Sequence, residues 1–137
     1  VRFPGSFGSA YLYHLIPRVI LFREEHSPRT LVENVDFISA AGTSEPGVYR
    51  PGGPHALITG LCLFQFDRDE GRFRLASTHP GTTAQDVRAA TGFAYDAPAQ
   101  VPTTAVPDAA TLAILRGEVA GQVAETYPAF AKAAWGV

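Results

Sequence analysis

Five residues near the start, Pro4-Gly5-Ser6-Phe7-Gly8, form a glycine loop directly ahead of a stretch with helical apolar spacing. None of these side chains is ionisable near neutral pH, so the loop's chemistry rests mainly on its backbone. Where such a loop runs into a helix, consecutive N–H groups aim at one point and the helix dipole adds a positive field. That arrangement suits an oxygen carrying or gaining negative charge. The plainer alternative is that the loop only turns the chain into the helix.

The other chemically capable residues are scattered. His79 stands in "HPG", and an imidazole is the natural proton carrier near neutral pH. Pro80 and Gly81, however, make a tight strand-to-helix turn there, which predicts a histidine bonded to the backbone. His14 lies on the helix after the glycine loop, where a partner hydrogen bond is expected, and His55 follows "PGGP", facing a partner or solvent. The four histidines lack metal-ligand spacing, so no metal site is expected. The single cysteine, Cys62, sits in the apolar run "LCLFQF" and reads as a buried structural thiol. Glu45 in "SEPG" reads as a solvated loop acid, and Glu118 and Glu125 as solvent-facing helical charges. "GVYRPGGP" precedes no helix and is a poor phosphate loop; Tyr49 and Arg50 suit an interface. Arg2 and Arg18 flank the glycine loop region as surface charges.

The elements that must position these residues follow from periodicity and punctuation. "SAYLYHLI" is a helix stopped by Pro17. "RVILFR" is a short β-former run, apolar on both faces, which predicts a central strand. Ser27-Pro28 starts a short helical turn through Leu31 and Val32, and "VDFIS" is predicted as a second strand before a loop crowded with Gly and Pro. "ALIT" and "LCLFQF" are strands parted by Gly60, read as a bend or bulge. "DRDEG" is a hairpin loop and "RFRLAST" returns antiparallel. Thr83 caps the next helix with Asp86 three residues on, and Gly92 ends it. Asp108 caps one long last helix through Tyr127, weakened by Gly117 and Gly121 or closely packed there. Strands alternating with helices, plus one hairpin, give an α/β layered domain with a mixed sheet.

The 137 residues form one domain, 1–137, with no linker that would divide it. Hydrophobic residues are 46% and charged residues 18%, so the chain can bury a core and disorder is not expected. A net charge of −2 with basic residues interleaved among acids, as in "FREEH" and "DRDEGRFR", gives no nucleic-acid surface. No apolar stretch has membrane-spanning length and the first residues lack a signal-peptide layout, so a cytoplasmic, non-membrane protein is expected.

Taken together, "VRFPGSFGSA", "VENVDFISAAG", "GGPHALITGLCLFQFD", "GRFRLASTHPGTTAQDVRAATGF" and "VPDAATLAILR" resemble the second half of the β subunit of family I CoA-transferases, of the glutaconate and 3-oxoacid type. The order agrees from Val1 to about Arg116, and "HPGTT" followed by "ATGF" is the most specific piece. The resemblance implies an open layered α/β/α sheet of which this chain is a partial domain. It implies as partners an α-type subunit, the N-terminal half of the β subunit, and an acyl-CoA. No cofactor is implied beyond coenzyme A as a substrate moiety.

In that family a β-subunit glutamate attacks the thioester, forming an anhydride and then a glutamyl-CoA thioester. That glutamate belongs to the half this sequence does not include. Glycine-loop amides receive the developing oxyanion. Matching the prolines places Phe7 and Gly8 at those two positions, with Ser6, Phe7 and Ser9 bordering the substrate. Phe7 replaces a family glycine, and its ring fills space beside the thioester. That departure suits glutaconyl-CoA-type decarboxylases and ring-cleavage hydrolases on the same scaffold. A non-catalytic structural subunit is the remaining alternative.

Overall fold

A computed structural model describes Gly5 and Phe7–Val137. The chain folds as two compact units, Val1–Thr104 and Ala105–Val137. In the first, helix α1 (Phe7–Leu15) leads through Pro17 to strand β1 (Val19–Arg23). After an irregular segment come β2 (Pro54–Thr59), β3 (Cys62–Asp67), β4 (Arg72–Thr78) and helix α2 (Ala84–Ala90). The strands form one mixed sheet in the order β1-β2-β3-β4, with β1 parallel to β2 and the other pairs antiparallel.

Register explains the core. Leu21 lies opposite Leu57, Leu57 opposite Phe64, and Phe64 opposite Leu75. One row of large apolar side chains therefore crosses all four strands on one face. Leu31, Cys62 and Val87 join it, with Phe73, Phe93, Tyr95 and Val101 packed around the edge. The opposite face carries Ile20, Phe22, Ala56, Ile58 and Leu63 at alternate positions. Toward β1 that face is open: Ile20 is 58% and Phe22 74% exposed.

Within the described residues the run "RVILF" is the edge strand of this sheet. Its two apolar faces are real, but only one is packed, and among the described residues only β2 pairs with it. "VDFIS" forms no strand either. Val35, Phe37 and Ile38 are exposed in irregular chain, because a strand exists only where a neighbour takes its N–H and C=O groups. The Gly60 break is a hairpin reversal, not a bulge within one strand. There Thr59 Oγ1 accepts from the amides of Leu61 (3.2 Å) and Cys62 (3.1 Å), folding β3 back onto β2.

Local signals hold. Asp67 Oδ1 accepts from the amides of Asp69 and Glu70 at 3.0 Å each, organising the β3–β4 hairpin. Thr82 donates to the His79 carbonyl at 3.0 Å around Pro80 and Gly81, and Gly81 has φ of 85°. That is a type II turn, whose third position favours glycine. Thr83 caps α2 in a reciprocal box with Asp86.

Gly92 follows α2, but it serves close approach rather than a left-handed cap. Its amide donates to the Leu31 carbonyl at 2.7 Å, and a Cβ on it would lie 2.4 Å from that oxygen. Gly92→Ala should therefore push the Leu31 turn off α2. Overpacking of this kind costs about 1–3 kcal/mol, read as a lower urea midpoint at unchanged slope. A wild-type midpoint would show that the turn yields freely.

The second unit is helical. Asp108 caps α3 (Ala109–Ile114), accepting from the Thr111 amide at 2.7 Å. A π-helical turn, Leu115–Val119, joins α3 to α4 (Ala120–Thr126), and Pro128 opens α5 (Pro128–Trp135). The predicted single helix is therefore locally widened around Gly117, where a Cβ would meet nothing within 4 Å. Weak helix propensity, not close packing, accounts for it. Among the described residues no helix is long and apolar enough to cross a membrane.

Candidate functional site

Phe7, Gly8 and Ser9 form the first turn of α1, and Ser6 lies outside the described residues. The helix thus begins two residues earlier than its apolar spacing suggests. The first amides of any helix lack intrahelical acceptors, so in this turn Phe7 and Gly8 carry N–H groups that α1 itself does not use. No acidic side chain occupies it to neutralise the dipole. Gly8 is not among the positive-φ glycines, and a Cβ there would meet nothing within 4 Å. Strain from a left-handed backbone is accordingly not a reason for this glycine.

The Phe7 ring is 85% exposed and stacks on Tyr11 one turn later, at 6.3 Å between centroids and 6° between planes. With Ala10 and His14 these rings line an open, mostly apolar depression of about 360 Å³. The phenyl group therefore forms one wall of the space next to the helix start.

The other end of α1 is fixed by the loop that the sequence assigned to an interface. Arg50 donates from Nε to the Gly52 carbonyl (3.0 Å) and from Nη1 to the Thr43 carbonyl (2.8 Å) and Ser44 Oγ (3.1 Å). Its Nη2 donates to the carbonyls of Tyr13 and Ala41. All the N–H donors of a guanidinium are thereby engaged, so Arg50 is a staple between α1 and the 41–53 loop rather than an anchor for a partner. The Gly52 amide donates to the His14 carbonyl at 2.8 Å, and His14 Nε2 lies 3.0 Å from the Tyr49 carbonyl, the partner hydrogen bond expected of His14. Tyr49 remains exposed.

His79 is bound as its turn predicts, with Nε2 3.0 Å from the Thr59 carbonyl and Nδ1 3.0 Å from Thr104 Oγ1. Cys62 is fully buried, and burial pushes its thiol up to about 11, so it is protonated and unreactive at neutral pH. Glu45 is an exposed loop residue far in sequence from the helix start, and His55 is half-buried on β2. Among the described residues no three His, Cys, Asp or Glu side chains converge as metal ligands.

One residue escaped sequence reasoning. His26 lies in "FREEH", where its charged neighbours suggest a solvated face. Its ring instead turns inward, with Nδ1 2.8 Å from Thr59 Oγ1 and Nε2 2.9 Å from Thr91 Oγ1. Both partners are distant in sequence, so no local pattern could have found it.

No protein-family profile matches the chain. Individual proteins do. It is 35% identical over 122 residues to the B subunit of a 3-oxoadipate CoA-transferase from Pseudomonas knackmussii, covering 85% of this chain and 46% of that protein. It is 30% identical over 96 residues to the IpdB subunit of a cholesterol ring-cleaving hydrolase from Rhodococcus jostii, covering 67% and 38%.

Among solved structures, glutaconate coenzyme A-transferase from Acidaminococcus fermentans superposes with a TM-score of 0.69 at 27% identity, covering 86% of this chain and 47% of that one. The decarboxylase AibA/AibB gives a TM-score of 0.66 at 31% identity, covering 85% and 44%. The chain thus spans less than half the length of these relatives. The matches reach transferase, hydrolase and decarboxylase alike, and the chain belongs to the CoA-transferase β-subunit-like family that holds all three.

Proposed function

We propose that this chain forms part of the β-type subunit of a heteromeric CoA-transferase-like enzyme acting on a short-chain or dicarboxylic acyl-CoA thioester. The observation that carries the reading is the 35% identity to the B subunit of a CoA-transferase over most of the chain. In the proposed reaction, a glutamate carboxylate from the rest of the subunit adds to the thioester carbonyl. The C–S bond breaks, coenzyme A leaves as its thiolate, and an anhydride remains. The thiolate then attacks the glutamyl carbonyl, releasing the acid and leaving glutamyl-CoA. The amides of Phe7 and Gly8 face the oxygen that gains charge in each addition, with Ser6 and Ser9 beside the substrate.

A second reading, decarboxylation or hydrolysis of the acyl-CoA, is favoured by Phe7. A ring this exposed beside the helix start narrows the acyl space that a glycine would leave open. Phe7→Gly should widen the range of acyl chains accepted while the fold is retained. An unchanged substrate profile in the assembled enzyme would remove Phe7 from the pocket.

Assembly is part of the proposal. The open sheet face around Ile20 and Phe22 and the free edge of β1 suit further strands and helices from the remainder of the subunit, with an α-type subunit across the site. The test is to produce the chain with both and assay CoA exchange between an acyl-CoA and a free acid, following thiol release and CO₂ separately. Exchange supports transfer, and thiol or CO₂ release without exchange supports the second reading. No turnover of any acyl-CoA by a correctly assembled complex would leave only a structural subunit.

A further inference from the structure

His26 and His79 both bond Thr59 at the β2–β3 turn, one at its hydroxyl and the other at its carbonyl, and their hydrogen bonds have a determinate direction. Thr91 Oγ1 gives its single proton to the Val87 carbonyl at 2.7 Å, so it accepts from His26 Nε2. The neutral His26 ring therefore carries its proton on Nε2, and Nδ1 is an acceptor served by the Thr59 hydroxyl. On the other side, the Thr59 carbonyl can only accept, so His79 Nε2 donates to it. His79 Nδ1 then accepts from Thr104 Oγ1, which itself accepts from Ser77 Oγ at 2.7 Å. Two donor chains meet at Thr59: Ser77, Thr104 and His79 in sequence end on its carbonyl, and its hydroxyl starts a second one through His26 to Thr91. Together they tie β4, the Thr104 segment, the turn, the stretch after β1 and the end of α2.

The Thr59 hydroxyl is saturated. It accepts two amide protons, from Leu61 and Cys62, and has one proton to give. If His26 gained a proton on Nδ1, that N–H would face an oxygen with no lone pair left. Thr59 could redirect its own proton to the Cys62 carbonyl at 3.2 Å, but the new donor would still be unmet. Thr104 is more tolerant, since one accepted bond leaves it room to receive an N–H from His79. The nearby groups do not rescue the charge. Cys62 Sγ, 3.8 Å from Nδ1, is a neutral thiol. Glu25 is committed to Arg23, Ser27 and Arg29. Arg88, on α2, lies over Tyr95. Among the described residues no carboxylate bonds to either ring.

We propose that His26 is an acid-operated latch: neutral, it locks the β2–β3 turn to α2; protonated, it keeps its Nε2–H on Thr91 but loses Thr59, so the turn comes free of α2. The latch sits where the parallel strands β1 and β2 end at their carboxyl termini, the end at which open α/β sheets place their ligands. Acid would thus loosen the rim of that end before the core. The proposal stands whether or not the chain's enzyme performs CoA transfer.

Burial also holds His26 below the ordinary histidine range. A depressed histidine contributes stability that is present above its unfolded pKa, about 6.5, and is lost as pH falls below that value toward the folded one.

Histidine-selective ¹⁵N NMR of the full chain tests the latch directly. Two rings, those of His26 and His79, should appear as Nε2–H tautomers at about pH 7.5. His26 should protonate at lower pH than an ordinary histidine, with the Leu61, Cys62 and Thr91 amides shifting along with it. His26→Gln, which keeps a donor and an acceptor but cannot titrate, should remove most of the fall in urea midpoint between about pH 7.5 and 5, whereas His79→Gln should leave most of it. An Nδ1–H tautomer, ordinary titration of His26, or an acid slope unchanged in His26→Gln overturns the proposal. If that variant fails to fold, the wild-type spectra still decide.

Discussion

Phe64→Ala is expected to cost the chain about 3–5 kcal/mol, because the ring is fully buried at the centre of the apolar row that spans the sheet. Phe73, Phe93 and Tyr95 surround it with centroids at 6.0, 5.9 and 4.9 Å, and His26 lies at 6.2 Å. Those neighbours come from β4, from the segment after α2 and from the stretch after β1, and cannot all collapse inward, so a cavity remains where dispersion contacts are lost. Against a typical domain stability of roughly 5–15 kcal/mol the loss is large enough to populate the unfolded state. Phe22→Ala is the informative control. With 74% of Phe22 exposed, it should change the urea midpoint little in this chain alone, within about 0.5 kcal/mol. In the complete assembly the same substitution should become costly, since Phe22 lies on the face proposed to be covered. Equal costs for both substitutions in the chain alone would mean that the core is not centred on Phe64.

What the sequence disclosed and what it withheld divide along a physical line. The capping box of Thr83 and Asp86, the Asp108 cap, the Asp67 hairpin and the Pro80-Gly81 turn are set by atoms within three or four residues of one another. A sequence displays such neighbours side by side. Whether "RVILF" is central or at an edge depends instead on which chain lies beside it, and apolar residues on both faces do not say whether that neighbour is present. The exposed Val35, Phe37 and Ile38 teach the same lesson, since strand character without a ladder partner remains irregular chain. Gly60 was visible as a break, but only Thr59 accepting two amides makes the break a reversal.

The candidate site followed the same rule. Phe7 and Gly8 were legible because a glycine loop before a helix is a local motif. The staple role of Arg50 was not, because its acceptors are a carbonyl of α1 and carbonyls and one hydroxyl from separate points of a loop. His26 was hidden by its charged neighbours, and threonine, its partner on both sides, is too common a residue to draw notice.

Gly8→Val, in the complete assembly with its partner chains, is expected to lower turnover by about a hundred- to a thousandfold while substrate affinity changes little. Loss of one oxyanion donor typically removes about 3–4 kcal/mol of transition-state stabilisation, and affects the rate rather than ground-state binding. The backbone makes the test cleaner than most glycine substitutions allow. Gly8 lies in the helical region within the first turn of α1, and a Cβ there would meet nothing within 4 Å, so valine should be accommodated without strain. Its branched side chain would instead stand over the amides that Phe7 and Gly8 present, displacing the oxygen they are proposed to hold. Gly8→Ala should fall between wild type and valine, because a single methyl crowds the same space less. Thermal unfolding of the variants separates the two ways of losing activity. A wild-type melting temperature with a collapsed kcat assigns the loss to the site, whereas an unchanged kcat in a folded Gly8→Val assembly reduces the loop to a turn and moves the oxyanion position elsewhere.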